Sequence, residues 1–280
     1  MKIGNERNRK MSKKKCVIGI ILAMIFSFVI SMVAYMLFPE NTIAQVILEA
    51  IDVAGLLGII IAFGQKRELG FSVGSFIEGI KLNAYVLAYA VPFFIYHLVD
   101  WLLGNGGPDF YANTIGSALV LFLTAGMREE LLFRGIAFNF IKATGELSRP
   151  MVIKASVISA LLFGILHFSN YFFGQDLLST LCQVVYASAI GIFFAAVYFR
   201  TKNIWANIAV HFFFDFAHVN MEEVLGVKGN LVGESMSTLI YSIVTIAVAF
   251  YLMREKKITA SASGVRINSN LNDREDIFKW

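Results

Sequence analysis

Charged residues are scarce in this chain: they make up 16% of its 280 residues, whereas hydrophobic residues make up 57%. With a mean hydropathy of +0.67, the chain is too apolar to bury its apolar surface inside a water-soluble core. The composition therefore argues against an ordinary soluble domain. It predicts a membrane protein.

Cysteine is almost absent. Cys16 lies at a predicted helix start and Cys182 lies inside a helix, so the pair offers neither a disulfide framework nor a metal-ligand spacing. Internal repeats, low-complexity tracts and heptad patterns are also lacking. The net charge of +4 does not indicate nucleic acid as a partner, because most Lys and Arg residues lie in the N-terminal tail and in short loops and not on one extended face.

Long apolar stretches are what the sequence does contain, and eight of them can cross roughly 30 Å of hydrocarbon. The first has no small-x-small cleavage site, so it is predicted to be a retained helix rather than a signal peptide. Segment 70–79 is too short and glycine-rich to span, and is predicted to be an interfacial turn. The predicted helices are 16–38, 43–64, 81–103, 114–141, 151–168, 177–199, 204–220 and 236–253.

The positive charges alternate between connectors, which is typical of an oriented multi-pass membrane protein. Connectors 104–113 and 169–176 contain no Lys or Arg, and 221–235 contains only Lys228. Both termini are therefore predicted to be cytoplasmic, in an all-α bundle in the cell membrane. The predicted parts are a basic tail 1–15, N-terminal transmembrane helices 16–113, a core 114–220, a last transmembrane helix 221–253 and a polar cytoplasmic tail 254–280, predicted to be disordered after Lys257.

A charge at the centre of a membrane helix costs roughly 3 kcal/mol, so the ionisable residues of the fourth helix need an explanation. Glu130 and Arg134 are four residues apart and are expected to pair. Glu129 is turned by about 100° from Glu130 and lacks such a partner, which would leave it free to act as a base. The alternative for Arg128 and Arg134 is that they only extend to the cytoplasmic surface.

Two later helices carry histidines with helical neighbours at a spacing of four. Phe163 could stack on His167 and shield it from lipid, and Asp215 could orient His211 or accept its proton. His218 is a possible accessory residue. The alternative for each histidine is structural packing.

Weaker candidates are His97 with Asp100 and Glu49 with Asp52. Helix ends or polar packing explain these two pairs better than direct chemistry does.

The segments REELLFRG, FGILH and HFFFD, in this order on separate apolar helices, resemble the CPBP or Abi family of CAAX-processing and bacteriocin-processing intramembrane proteases. That family has the pattern EExxxR, FxxxH and HxxxN or HxxxD. The resemblance covers 119–220. Its fixed positions are Glu129, Glu130, Arg134, Phe163, His167, His211 and Asp215.

The resemblance implies an intramembrane endopeptidase that acts on a membrane-associated or prenylated peptide or protein. Glu129 and His167 would activate a water, and His211 with residue 215 would stabilise the oxyanion. Many members have Asn at position 215, and the carboxylate of Asp215 cannot donate as an amide does. Asp215 could instead be protonated, orient His211 or bind a metal.

Two mechanisms fit this set of side chains. One is a metal-free general-base site with apolar walls from Phe163, Phe212 and Phe214. The other is a divalent-metal site, with zinc as an example and with Glu129, His167, His211 and Asp215 as candidate ligands.

Other classes of protein remain compatible with the sequence: a proton- or cation-coupled transporter, and a non-enzymatic immunity or scaffold protein. Repeats and broken helices typical of transporters are not seen, and a scaffold would not need the whole carboxylate and histidine set. Counting about 1.5 Å per residue places His211 about 12 Å deep, Glu129 about 18 Å and His167 about 24 Å. Helix tilt would have to bring them together. The sequence does not indicate the substrate or the oligomeric state.

Overall fold

The protein is a bundle of helices in the computed structural model, which describes residues 10–103, 108–218 and 231–254. In these ranges the regular structure is helical, without a strand. We number nine main helices, of which α5 is a continuous helical stretch in four parts. They are α1 (Lys13–Leu37), α2 (Thr42–Ala62), α3 (Val73–Leu82), α4 (Ala84–Leu102), α5 (Pro108–Leu121, Phe122–Glu129, Leu131–Phe138 and Asn139–Lys142), α6 (Arg149–Leu166), α7 (Leu177–Thr201), α8 (Ile204–His218) and α9 (Leu231–Leu252). Short helical turns cover Lys66–Leu69 and Ser169–Phe172.

Polar side chains fix where several helices begin. Ser12 accepts a hydrogen bond from the Lys15 amide at 3.2 Å before α1, and Asp176 accepts one from the Ser179 amide at 2.9 Å before α7. Such caps satisfy amides that lack a partner in the first turn. The apolar runs therefore start as helices near the predicted positions.

Among the described residues, four helical segments are long and apolar enough to cross a membrane: Lys13–Leu37, Thr42–Ala62, Arg149–Phe172 and Leu177–Thr201. Ile204–Ala217 and Met236–Leu252 are apolar but shorter. These segments identify a membrane protein. The finer predictions, eight spans and cytoplasmic termini, stay predictions.

The region around 70–79 differs from its sequence interpretation. The predicted interfacial turn is instead largely α3, which begins where Ser72 caps the Ser75 amide at 3.2 Å. Asn83, where α3 ends, separates this helix from α4, and its side-chain amide returns to the Gly79 carbonyl at 2.8 Å. The glycines of this segment favour a turn in the sequence pattern. In the structure, however, Gly79 permits close packing, because an added Cβ would collide with Ala206 of α8.

The basic connectors lie together at one end of the bundle. The Met11 amide bonds to the Ala143 carbonyl at 2.8 Å, and Lys142 pairs with Glu68 at 2.6 Å. Burial of Glu68 opposes its ionisation, but the Lys142 ammonium outweighs burial and holds the pKa of this carboxyl below its ordinary value. Connectors far apart in sequence thus share one end of the bundle.

Helix α5, which carries Glu129 and Glu130, packs against other helices on two sides. Its middle contacts α1 and α2 on one side and α6, α7 and α8 on the other, while α7 also packs on α6 and α9. Aromatic side chains fill the core along these contacts. The largest of them that are fully buried are Phe133, Phe138, Phe140, Phe163, Phe193, Phe194, Tyr198 and Phe199.

Several predictions fall outside the described residues. They concern connector residues 104–107 and 221–230, Lys256, Lys257 and the polar tail. The side chains of His97, Asp100 and His218 are likewise outside the description.

Candidate active site

The two adjacent glutamates lie in a part of α5 with unusually wide turns. Glu129 ends one π-helical stretch and Glu130 joins it to the next. Such turns are rare and are frequent at functional sites. Gly126, one turn earlier, lets α5 approach α8, since a Cβ there would lie 3.2 Å from Cβ of Phe212. This close approach brings both glutamates to His211.

Glu130 is the centre of a buried polar cluster. Its Oε1 lies 2.9 Å from Arg134 Nη1 and 3.0 Å from His211 Nδ1, and its Oε2 accepts a long bond from Asn207 at 3.4 Å. The predicted Glu130–Arg134 pair is therefore present. Arg134 also donates to the Gly191 carbonyl at 3.3 Å and is 1% exposed. It lies inside the bundle and does not extend to the surface.

The orientation of His211 is set by Glu130 more than by Asp215. Glu130 accepts a hydrogen bond from Nδ1 of His211, while Nε2 of the same ring lies 3.6 Å from both Asp215 Oδ2 and Glu129 Oε2. Asp215 was expected to orient the ring, but its distance exceeds that of an ordinary hydrogen bond. A carboxylate facing Arg134 can only accept, so Nδ1 of His211 carries the hydrogen.

Glu129 has a different environment from Glu130. Its Oε2 lies 3.6 Å from His211, and its Oε1 lies 4.0 Å from Nη2 of Arg128. Both contacts are longer than a hydrogen bond, and the carboxylate borders a cavity. The lone pairs of Glu129 are thus accessible to a water, whereas those of Glu130 are used within the protein.

His167 occupies the C-terminal end of α6, where Phe163 orients it in two ways. Nδ1 lies 2.9 Å from the Phe163 carbonyl, and the two rings meet edge to face, with centroids 4.7 Å apart and planes at 89°. The expected stacking is therefore a perpendicular contact. Because a carbonyl only accepts, Nδ1 donates and Nε2 of the neutral ring is left as an acceptor.

These side chains meet at one cavity of about 280 Å³ between α5, α6, α7 and α8. Glu129, His167 and His211 therefore lie at the same cavity, although counting along the helices placed them at different depths. Both polar and apolar residues line its wall. The lining consists of Leu121, Glu129, Phe163, His167, Gln183, Tyr186, Ala187, Ile190, His211, Phe214 and Asp215.

One predicted wall residue lies elsewhere. Phe163 and Phe214 line the cavity, but Phe212 packs on Phe122, with ring centroids 5.5 Å apart. Positions two apart on a helix point about 200° apart, so Phe212 and Phe214 face nearly opposite sides of α8.

Several residues of the site were missed from the sequence. Asn207 precedes His211 by four residues, so the spacing that revealed Asp215 could also have revealed it. Gln183 and Tyr186, three residues apart in the apolar helix α7, also line the cavity. Neither residue belongs to one of the three sequence motifs, so the sequence did not indicate them.

The proposed metal ligands do not form a metal-binding group in the structure. Within the described ranges, no three His, Cys, Asp or Glu side chains are arranged so that they could hold an ion. His211 Nδ1 is engaged by Glu130, and His167 Nδ1 by a carbonyl. Both Nδ1 atoms are thus used within the protein, and the steps derived below use the side chains alone.

Comparison with known proteins finds one family model that matches part of the chain. Residues 111–217 match the family model described as Rce1-like, type II CAAX prenyl endopeptidase. This match agrees with the CPBP resemblance carried by the three motifs. Neither the curated proteins nor the solved structures give a match.

Proposed function

We propose that this chain, which residues 111–217 place in the Rce1-like type II CAAX prenyl endopeptidase family, cleaves membrane-associated or prenylated substrates with a water activated by Glu129. The family supports an intramembrane endopeptidase in general. The finer assignment depends on one observation: Glu129, His167, His211 and Asp215 border the same cavity. A general base, a water holder and a hydrogen-bond donor are therefore available together.

In the first step, Glu129 takes a proton from a water whose other hydrogen is held by Nε2 of His167. The water oxygen attacks the carbonyl carbon of the substrate, and the carbonyl electrons move onto its oxygen. His211 is the proposed donor to this oxyanion. Three carboxylates lie 3.0 to 3.6 Å from its ring nitrogens, and they stabilise a positive charge and an N–H at Nε2.

In the second step, the tetrahedral intermediate collapses and the carbon–nitrogen bond breaks. Glu129, now protonated, gives its proton to the departing amine. Asp215 lies beside Nε2 of His211 at 3.6 Å, where it compensates the positive charge of the imidazole. In this role Asp215 does not need to donate a hydrogen bond to the oxyanion.

The cavity also limits the substrate. Its volume of about 280 Å³ is near the lower end of ligand pockets, roughly 300 Å³. It can take a short extended segment of a chain and excludes a folded domain. Apolar walls at Phe163 and Phe214 favour a segment at membrane depth and keep bulk water from the intermediate.

The function is tested by comparing peptides from membranes that contain the wild-type chain with those that contain Glu129→Gln at equal abundance. We expect new peptide ends only with the wild type, since removal of a general base costs about 10² to 10⁴ in rate. Glu146→Gln is the matched control, because that carboxylate is 85% exposed and lies on the connector after α5. Identical peptide ends with wild type and Glu129→Gln would contradict the proposal, and favour a scaffold or transporter.

A further inference from the structure

Arg128 joins three helices through its two terminal nitrogens. Nη1 donates to Ser31 Oγ of α1 at 2.6 Å and to both carboxylate oxygens of Glu49 of α2, at 3.0 and 3.1 Å. Nη2 lies 4.0 Å from Oε1 of Glu129. The guanidinium therefore stands between a carboxylate that it binds and a carboxylate that it only approaches.

Burial makes this arrangement rigid. Glu49 is 0% exposed, and an isolated carboxylate there would be costly because water cannot solvate it. Charge-assisted bonds to both of its oxygens are geometrically specific. Arg128 is thus tied to α2 and does not extend to the surface as one sequence interpretation had it.

The position of Arg128 determines what Glu129 can do. At 4.0 Å the guanidinium attracts the carboxylate but does not occupy its lone pairs. A shift of about 1 Å towards Glu129 would form a direct hydrogen bond, at roughly 3 Å, and would remove a lone pair from the attacking water. Glu49 and Ser31 hold Arg128 on the opposite side and prevent this shift.

We propose that Glu49 and Ser31 are positioning residues, which keep Arg128 close to Glu129 without binding it. This inference depends on the proposed role of Glu129 as general base. It also extends the active site beyond the family-matched segment 111–217, because Ser31 and Glu49 belong to α1 and α2. The first two helices are then part of the catalytic apparatus as well as membrane spans.

The test measures kcat and KM in detergent with an internally quenched farnesylated peptide and its unprenylated counterpart. Glu49→Gln should lower kcat at least about tenfold and leave KM within about twofold, since misplacement by 1 Å can cost far more. Ser31→Ala removes one hydrogen bond and should lower kcat about threefold. Each rate is divided by the folded fraction from size-exclusion chromatography, so a loss of folded protein does not register as a loss of kcat.

Asp52→Asn is the matched control. Asp52 is also a fully buried carboxylate of α2 and feels the charge of Arg128 at longer range, but it accepts a hydrogen bond from Ser27 at 2.5 Å and makes none with Arg128. Its kcat per folded molecule should equal that of the wild type. An equal loss in Asp52→Asn and Glu49→Gln would overturn the inference, because it would indicate a general effect of charge removal from α2.

A double variant tests whether Glu49 acts through Arg128. Arg128→Gln together with Glu49→Gln should have the same kcat as Arg128→Gln alone, whereas independent effects would multiply. Multiplied effects, or a wild-type kcat in both Glu49→Gln and Ser31→Ala, would overturn the inference. An active Glu129→Gln, or a wild type that cleaves neither peptide, contradicts the proposed function itself.

Discussion

Replacing Glu130 by Gln should destabilise the protein far more than the same change at Glu129. Glu130 is 0% exposed and lies 2.9 Å from Arg134 and 3.0 Å from His211. The change leaves the buried Arg134 charge without its counter-ion. Breaking such a pair costs about 3 to 5 kcal/mol, and the remaining amide oxygen can still accept a hydrogen bond. We therefore expect the lower end, about 3 kcal/mol.

The two substitutions differ because their carboxylates have different surroundings. Glu129 is 14% exposed, and its ion-pair distances are 3.6 and 4.0 Å, so Glu129→Gln should cost about 1 kcal/mol or less. For a domain of this size about 3 kcal/mol corresponds to a fall in Tm of roughly 6 to 12 °C. The Tm of Arg134→Ala should fall at least as far as that of Glu130→Gln, since this change leaves the buried Glu130 carboxylate without its guanidinium partner.

The assay is thermal unfolding of the purified variants in one detergent at pH 7, followed by tryptophan fluorescence. Peptide cleavage is measured on the same preparations. We expect Glu129→Gln to be inactive with a Tm near that of the wild type, and Glu130→Gln to lose both activity and stability. Equal Tm losses in Glu129→Gln, Glu130→Gln and Arg134→Ala, or a wild-type Tm for Glu130→Gln, would refute the division of roles between the glutamates.

Four further predictions follow from the site and the basic end. Asp215→Ala should lower the cleavage rate, because it removes the carboxylate that compensates the positive charge of His211; a wild-type rate in this variant would contradict that role. Metal chelators should leave the cleavage rate unchanged, since in the proposed steps the base is Glu129 and no step requires a metal; loss on chelation and recovery with a divalent ion would contradict this. Glu68→Gln should lower Tm at pH 7, and this difference should persist above the ordinary pKa of 4.5 and vanish as pH falls through the lower folded pKa. A cysteine at Lys66 should be labelled only from the cytoplasm, and labelling from outside would refute the predicted topology.

Much of the site could be predicted because helical geometry alone relates residues at a spacing of four. The Glu130–Arg134 pair and the Phe163–His167 contact are both present. His211 and Asp215 are also neighbours, at 3.6 Å. Each relation is local, so it does not depend on how the helices are arranged.

The helical assignment around position 79 was harder for a related reason. Glycine lowers helix propensity, and a segment of ten residues has little periodicity to outweigh it. The close contact of Gly79 with Ala206 of α8 compensates in the folded bundle. This contact joins distant parts of the chain, and no local pattern reports it.

The sequence by itself determined that this is an apolar helical membrane protein with an EExxxR, FxxxH and HxxxD set of motifs. It could not determine which glutamate binds His211 or which carboxylate holds Arg128, since these partners are 81 and 79 residues apart. Only the tertiary structure decided those contacts. A helix fixes the angle between its own side chains, but the rotation and depth of one helix against another depend on packing, as where Gly126 lets α5 approach α8.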